Sequence, residues 1–237
     1  VTRRRWIADQ VSGNLAALTG DHARHLSQVL RAQIGQEFEI SASGEVRRGK
    51  IARVLPDRVE FELGDPIVYQ PGPDIAVAIS IFKFDRMEWA IEKCTELGVA
   101  QVIPLLAART EKHLASAALK RVERWRRIAK QASEQSRRAS VPEVHEPCPL
   151  KRLLGTSEGT KIVLSEIEQD LLLKDAPLPS SRSLTLAFGP EGGWKEQELG
   201  AFRESGWMSA SLGSRILRAE TAIIAAVAVT SSLTAGI

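Results

Sequence analysis

The chain has 237 residues and only two cysteines, Cys94 and Cys148, with no C-x-x-C spacing. That argues against a disulfide-stapled scaffold or a zinc site, and it fits a reducing compartment. The opening residues, Val-Thr-Arg-Arg-Arg-Trp, lead into no apolar leader segment. The apolar stretch Ala222 to Val229 is far shorter than the ~20 residues a membrane helix needs. A soluble, cytoplasmic protein with no membrane partner and no bound metal is expected. No internal repeat or low-complexity tract is visible. No G-x-G-x-x-G turn follows a first strand, which argues against a dinucleotide-dependent oxidoreductase.

What is present is an ordinary globular balance, 43% hydrophobic and 26% charged residues, so a real core can form. The net charge of +3 is unevenly spread. Residues 71–140 carry thirteen Lys/Arg against eight Asp/Glu, mostly between Arg109 and Arg138, whereas the rest of the chain is near balance. Such a stripe suits a polyanionic partner, or is a solvated helix face.

Residues 1–70 read as a small β-rich unit. Val59 to Leu63 and Glu37 to Ile40 alternate as half-buried strands do, and Ser43-Gly44 marks a turn before Val46 to Val54. One helix, Asp21 to Arg31, places Ala23, Leu26, Val29 and Leu30 on one face. Short strands around one helix suggest a small barrel. Tyr69-Gln-Pro-Gly-Pro73 is a natural boundary.

Beyond it, residues 73–237 alternate strands and helices, the pattern of an α/β domain with a mainly parallel sheet. Ile75 to Ile81 is a doubly covered strand. Asp85 caps a helix carrying Met87, Ala90, Ile91, Cys94 and Leu97, closed by Gly98. Val102 to Leu106 is a strand. A long helix from about Ala115 to Arg137 buries Leu119, Val122, Trp125, Ile128 and Ala132. Residues 139–160 are loop-rich. Strands follow at Lys161 to Ser165, Leu184 to Phe188 and Trp207 to Leu212, with a helix from Lys195 to Ser205 and a last buried helix from Ala219. Trp125 and Trp89 read as core, and Glu92 and Glu96 as solvated. Glu220 suits the first helical turn on dipole grounds.

Parallel sheets bind ligands at the carboxyl ends of their strands. Three such ends stand out: Leu164-Ser165-Glu166, Gly189-Pro190-Glu191-Gly192-Gly193, and Leu212-Gly213 through Ile216-Leu217-Arg218. The middle turn is denser in glycine than a tight turn requires, as if bare backbone were kept for a flat ligand. Glu191 sets the sign of that ligand. A phosphate about 4 Å from it costs roughly 4 kcal/mol at an effective dielectric of 20. No P-loop lysine follows either. An adenosyl ligand without phosphates and with a positive sulfonium, such as S-adenosylmethionine, suits the turn better than NAD or ATP.

The two glycine segments, Gly189 to Gly193 and Leu212-Gly-Ser-Arg-Ile-Leu-Arg-Ala-Glu-Thr-Ala222, resemble the RsmE family of SPOUT-class RNA methyltransferases. So do Lys83 to Lys93 with Glu96-Leu-Gly98, Arg109-Thr110, Gln131 to Ser136, and His25 to Arg31. The likeness covers nearly the whole chain in order. Arg137, where the family shows glycine, and Trp6, where it usually shows phenylalanine, depart from it. The resemblance implies a PUA-like RNA-binding barrel over 1–70 and a SPOUT domain with a deep trefoil knot over 73–237. It implies a homodimer with the site near the subunit interface. It also implies methylation of N3 of one uridine in 16S rRNA, within the small ribosomal subunit.

On that resemblance the three strand ends hold S-adenosylmethionine. The residues concerned are Leu164, Ser165, Glu166, Gly189, Pro190, Glu191, Gly192, Gly193, Leu212, Gly213, Ile216, Leu217 and Arg218. Arg218 is the candidate to stabilise the uridine anion, unless it pairs with Glu220 or a partner's carboxylate. Glu191 either takes the N3 proton or orders the turn. Candidate RNA contacts are Arg3, Arg4, Arg5, Arg31, Arg47 and Arg48 in the barrel, then Lys83, Arg86, Arg109, Arg137 and Arg138. His25 either joins them or sits on a helix surface, and Trp194 follows the cofactor turn and bears on the pocket's shape. Another SPOUT methyltransferase, for instance one acting on a ribose 2′-hydroxyl, and a non-catalytic RNA-binding assembly factor are the alternatives.

Overall fold

The computed structural model describes residues 5–67, 74–156, 159–178 and 183–234. The boundary segment Tyr69 to Pro73 and the candidates Arg3 and Arg4 lie outside them. The chain divides into two compact units, Val1–Pro71 with Ser133–Val141, and Gly72–Ala132 with Pro142–Ile237. Residues 133–141 thus group with the first unit, although they follow the 70/73 division in sequence.

The first unit is a curled six-stranded sheet. Its strands are β1 (Trp6–Ile7), β2 (Gln10–Ser12), β3 (Leu15–Thr19), β4 (Glu37–Ala42), β5 (Glu45–Leu55) and β6 (Arg58–Pro66), in the order β1-β4-β5-β6-β3-β2. All neighbours are antiparallel except β1 and β4. Irregularities at Arg47/Gly49 and Ile51/Arg53 bend β5, as bulges do. At Gly49 the sheet closes on its own core, and a Cβ there would collide with Ile40 Cγ1 and press on Phe61. Trp6, Leu18, Leu26, Ile40, Ile51 and Phe61 fill that core.

The helix expected over 21–31 is a short α-helix, α1 (Gly20–Arg24), continued by π-helical turns over His25–Val29. The wider turn shifts the register after Leu26. Ala23 and Leu26 are buried, while Val29 and Leu30 face solvent. Segment 133–141 is held in this unit by polar contacts. The fully buried Glu134 lies 3.2 Å from His22 Nε2, and the Ser41 hydroxyl donates to the Ala139 carbonyl.

The second unit carries β7 (Asp74–Ser80), α2 (Phe84–Glu96), β8 (Gln101–Leu106), α3 (Lys112–Ala118), α4 (Val122–Gln135, whose last turn belongs to the first unit) and β9 (Glu143–Val144). It continues with β10 (Cys148–Pro149), α5 (Leu150–Thr156), β11 (Thr160–Leu164), β12 (Ser183–Phe188), α6 (Glu196–Glu204), β13 (Met208–Ala210) and α7 (Ala219–Thr234). The sheet is parallel throughout, in the order β10-β8-β7-β12-β11-β13, with β9 on β8. No described helix is long and apolar enough to cross a membrane.

Several expectations are corrected here. The long basic helix is broken by a 3₁₀ turn at Leu119–Arg121, which swings Leu119 outward to 61% exposure. Trp89 is 47% exposed, because α2 turns Met87, Ala90, Ile91 and Cys94 inward and position 89 falls on the outer side. Lys83, not Asp85, occupies the N-cap of α2, and Asp85 sits in the first turn, where a carboxylate favours the dipole. The loop-rich stretch contains α5 and two short strands.

Candidate active site

Strand order assembles the site. β11 lies between β12 and β13, with Leu164 opposite both Phe188 and Ala210. Three loops distant in sequence therefore leave the sheet side by side. Between them opens a cavity of about 470 Å³. The first loop contributes Leu164, Ser165 and Glu166. The second contributes Gly189, Pro190, Glu191 and Gly193, and the third Leu212, Gly213, Ile216, Leu217 and Arg218. Every proposed cofactor residue except Gly192 lines it. Phe188, Arg215, Ala219 and Ala222 line it too, as do Lys83 and Arg86, which sequence reasoning placed on the RNA.

The glycine turn is held by identifiable contacts. Gly193 N–H donates to Pro190 C=O at 2.8 Å, closing a tight turn. Gly193 has φ +69°, and a Cβ there would land on a Glu166 carboxylate oxygen. Gly189 lies against the Trp194 indole, which a Cβ would meet at 3.2 Å. That indole N–H donates to Leu164 C=O at 3.0 Å, tying the second loop to the first. Trp194 is thus a structural strut between two strand ends. Arg109 donates to the carbonyls of Gly192 and, at 3.4 Å, Trp194. Glu198 accepts from Ala108 N–H at 2.8 Å and Lys195 N–H at 2.9 Å, fixing the start of α6 to the loop after β8.

Glu191 does not stand alone. Arg86 Nη1 donates to it at 3.0 Å, and Arg86 Nε lies 3.8 Å from Glu220. Glu220 is buried, and its second oxygen has no hydrogen-bond partner among the described residues. One guanidinium thus serves the glycine turn and the first turn of α7. The alternative in which Arg218 pairs with Glu220 does not hold. Arg218 is exposed and has no side-chain partner among the described residues. Sequence reasoning missed the bracing role of Arg86, since its partner Glu191 is 105 residues away.

The remaining candidate RNA contacts sort by what they already touch. Arg5 is only 8% exposed. It donates to Glu39 at 3.1–3.2 Å and to the Arg137 carbonyl, so it is an internal tie. Arg137 donates to the other Glu39 oxygen at 2.6 Å. It holds φ +60°, a left-handed conformation that explains why glycine suits this position. Burial pushes the Glu39 carboxyl up, but hydrogen bonds and charge from Arg137 and Arg5 outweigh it and hold the group below its ordinary 4.5. Arg47 donates to the Gly64 carbonyl at 2.8 Å, and Arg48 lies 4.0 Å from Glu37. Arg31 is exposed with no side-chain partner among the described residues, whereas Arg138 is partly buried and partnered. The His25 ring is half-buried, 5.9 Å from the Trp6 indole. In the basic stripe, Arg121 and Arg124 converge on Glu88, and Arg126 bonds Glu123 and the Val144 carbonyl.

Comparison with known proteins supplies the family. A family model described as an RNA methyltransferase domain matches residues 70–231. Ribosomal RNA small subunit methyltransferase E of Bacillus subtilis is 32% identical, over 87% of this chain and 85% of that protein. The chain belongs to the RsmE family of SPOUT-class RNA methyltransferases. The RsmE protein of Aquifex aeolicus is 29% identical, over 94% of this chain and 96% of its own. Among solved structures, an RsmE of Neisseria gonorrhoeae bound to S-adenosyl methionine superimposes with a TM-score of 0.85 at 30% identity, over 97% of both chains. A putative methyltransferase of Legionella pneumophila in complex with the bound cofactor SAM gives 0.84 at 28% identity, over 98% of both.

Proposed function

We propose that this RsmE-family chain transfers a methyl group from S-adenosylmethionine to N3 of a uridine in 16S rRNA of the small ribosomal subunit. In this reading it acts in the cytoplasm as a homodimer, with the three strand-end loops as the threaded part of a trefoil knot. The observation that carries the reading is the convergence of these loops on one cavity, with a guanidinium on its wall, Arg218, that has no side-chain partner among the described residues.

The cavity suits the cofactor. About 470 Å³ falls within the range of small-molecule sites, roughly 300–1,000 Å³. Leu164, Phe188, Leu212 and Leu217 give apolar walls for a flat base, and Gly213, with open space where a Cβ would sit, leaves a backbone edge bare. When bound there, S-adenosylmethionine supplies an electrophilic methyl group.

The chain's own residues act on the uracil. N3 carries a proton at neutral pH, and only the deprotonated nitrogen is a good nucleophile. Arg218 is a donor with no acceptor capacity, so it cannot take that proton. It hydrogen-bonds the uracil oxygens and stabilises the anion as the proton leaves to solvent. Glu191, bound by Arg86, orders the turn. The test is to incubate the full chain with labelled S-adenosylmethionine and undermethylated small subunits, then digest and locate the methyl by mass spectrometry. N3-methyluridine at one site supports the reading. A ribose methyl, or cofactor-free subunit binding with no transfer, rejects it.

A further inference from the structure

The cavity wall carries four cations, Lys83, Arg86, Arg215 and Arg218, against two carboxylates, Glu166 and Glu191. Arg86 is matched internally by Glu191 and Glu220. Arg218 is taken up by the uracil in the reading above. Lys83 and Arg215 remain. Both are exposed, both line the cavity, and neither has a side-chain partner among the described residues. They come from different elements, Lys83 from the residue before α2 and Arg215 from the loop between β13 and α7.

Two long cationic side chains at one cavity call for an anion. The uracil base is neutral before it loses its proton. A nucleotide whose base leaves the stack to enter a pocket leaves its own phosphate outside, where exposed cations meet it. We propose that Lys83 and Arg215 grip the backbone phosphate of the nucleotide whose base enters the cavity. They are positioning residues, holding N3 where Arg218 acts. Both are exposed, as contacts to a strand lying outside the cavity must be. The inference rests on the methyl-transfer reading.

The test uses the full chain with undermethylated small subunits. Variants are Lys83→Gln, Arg215→Gln, both together, and Arg215→Lys. Each Gln substitution is expected to lower the slope of log affinity against log salt by about 0.7–0.9. The double variant is expected to raise KM for the subunit on the order of tenfold, with a smaller change in kcat and unchanged calorimetric affinity for S-adenosylmethionine. Arg215→Lys keeps the charge and is expected to keep the slope. Unchanged slopes in the Gln variants overturn the proposal. So does Arg215→Lys behaving like Arg215→Gln. Weakened S-adenosylmethionine binding also overturns it, by assigning the two cations to the cofactor carboxylate. A wild type that binds subunits but transfers no methyl defeats the methyl-transfer reading instead, and the salt slopes still decide the phosphate contact.

Discussion

Two clusters of positive charge, one in each unit, are used in opposite ways. In the first, Arg5 and Arg137 converge on a single carboxylate, Glu39, and hold segment 133–141 against the sheet. In the second, Lys83, Arg215 and Arg218 surround a cavity with no partner among the described residues. Sequence reasoning set Arg218 apart, grouped Arg5, Arg137 and Lys83 as RNA contacts, and did not single out Arg215. A matched guanidinium already has its hydrogen bonds, so recruiting it to a phosphate breaks a tie. An unmatched one is free to act on a ligand. The difference separates cations that build the protein from cations that work on a substrate.

The sharpest break would come at Arg218. Arg218→Ala is expected to lower the methylation rate at saturating cofactor and RNA by on the order of 10²-fold. Because the loss is in stabilising the uridine anion, the variant should regain much of its rate as pH rises. A pH–rate profile that stays equally low throughout, or wild-type turnover, would remove Arg218 from the working set.

Glu39 tests the matched set. Glu39→Ala removes the carboxylate that Arg5 and Arg137 share and is expected to cost about 2 kcal/mol in urea unfolding. The pH dependence has a definite sign. The folded Glu39 carboxyl sits below 4.5, so its stabilisation is fully present above the unfolded value and is lost as pH falls through the folded value. Melting curves of the wild type should therefore fall off below about pH 4.5, and Glu39→Gln should flatten that part of the profile. Identical acid profiles would show that ionisation of Glu39 contributes no stability.

Gly193→Val places a branched side chain at φ +69° and against Glu166. Calorimetry should show S-adenosylmethionine bound on the order of tenfold more weakly, with circular dichroism unchanged, since L-residues disfavour this conformation by roughly 1–2 kcal/mol. The smallest effect separates two arginines of one unit. Arg31→Gln should lower the salt slope of RNA binding by about 0.7–0.9, while Arg5→Gln should lower stability and leave the slope alone. Equal slopes in the two variants would erase the distinction between matched and free cations.

Much of the frame is legible in the sequence. Apolar runs placed the three strand ends within a residue or two, two of them running into glycine, because a buried parallel strand must stop where its backbone turns. Twelve of the thirteen cofactor candidates share one cavity for the same reason. Gly192 alone points elsewhere, towards the Arg109 side chain. What could not be read was pairing across long sequence distances. Arg86 with Glu191, and Arg5 with Glu39, become neighbours only through strand order and tertiary packing. Periodicity also failed where helices changed pitch. The π-helical turns exposed Val29, and the 3₁₀ turn exposed Leu119.

The central strand of the second sheet has a consequence for synthesis. β7 finds β8 soon after it is made, but its other edge pairs with β12, which begins at Ser183. At about 5–20 residues per second, that edge of Asp74–Ser80 waits on the order of 5–20 s for its partner to be translated. For that interval a hydrophobic strand edge is open on the growing chain. Such an edge can recruit a second nascent chain by strand pairing, so expression temperature and chaperone supply should govern the soluble yield more than the stability of the finished fold.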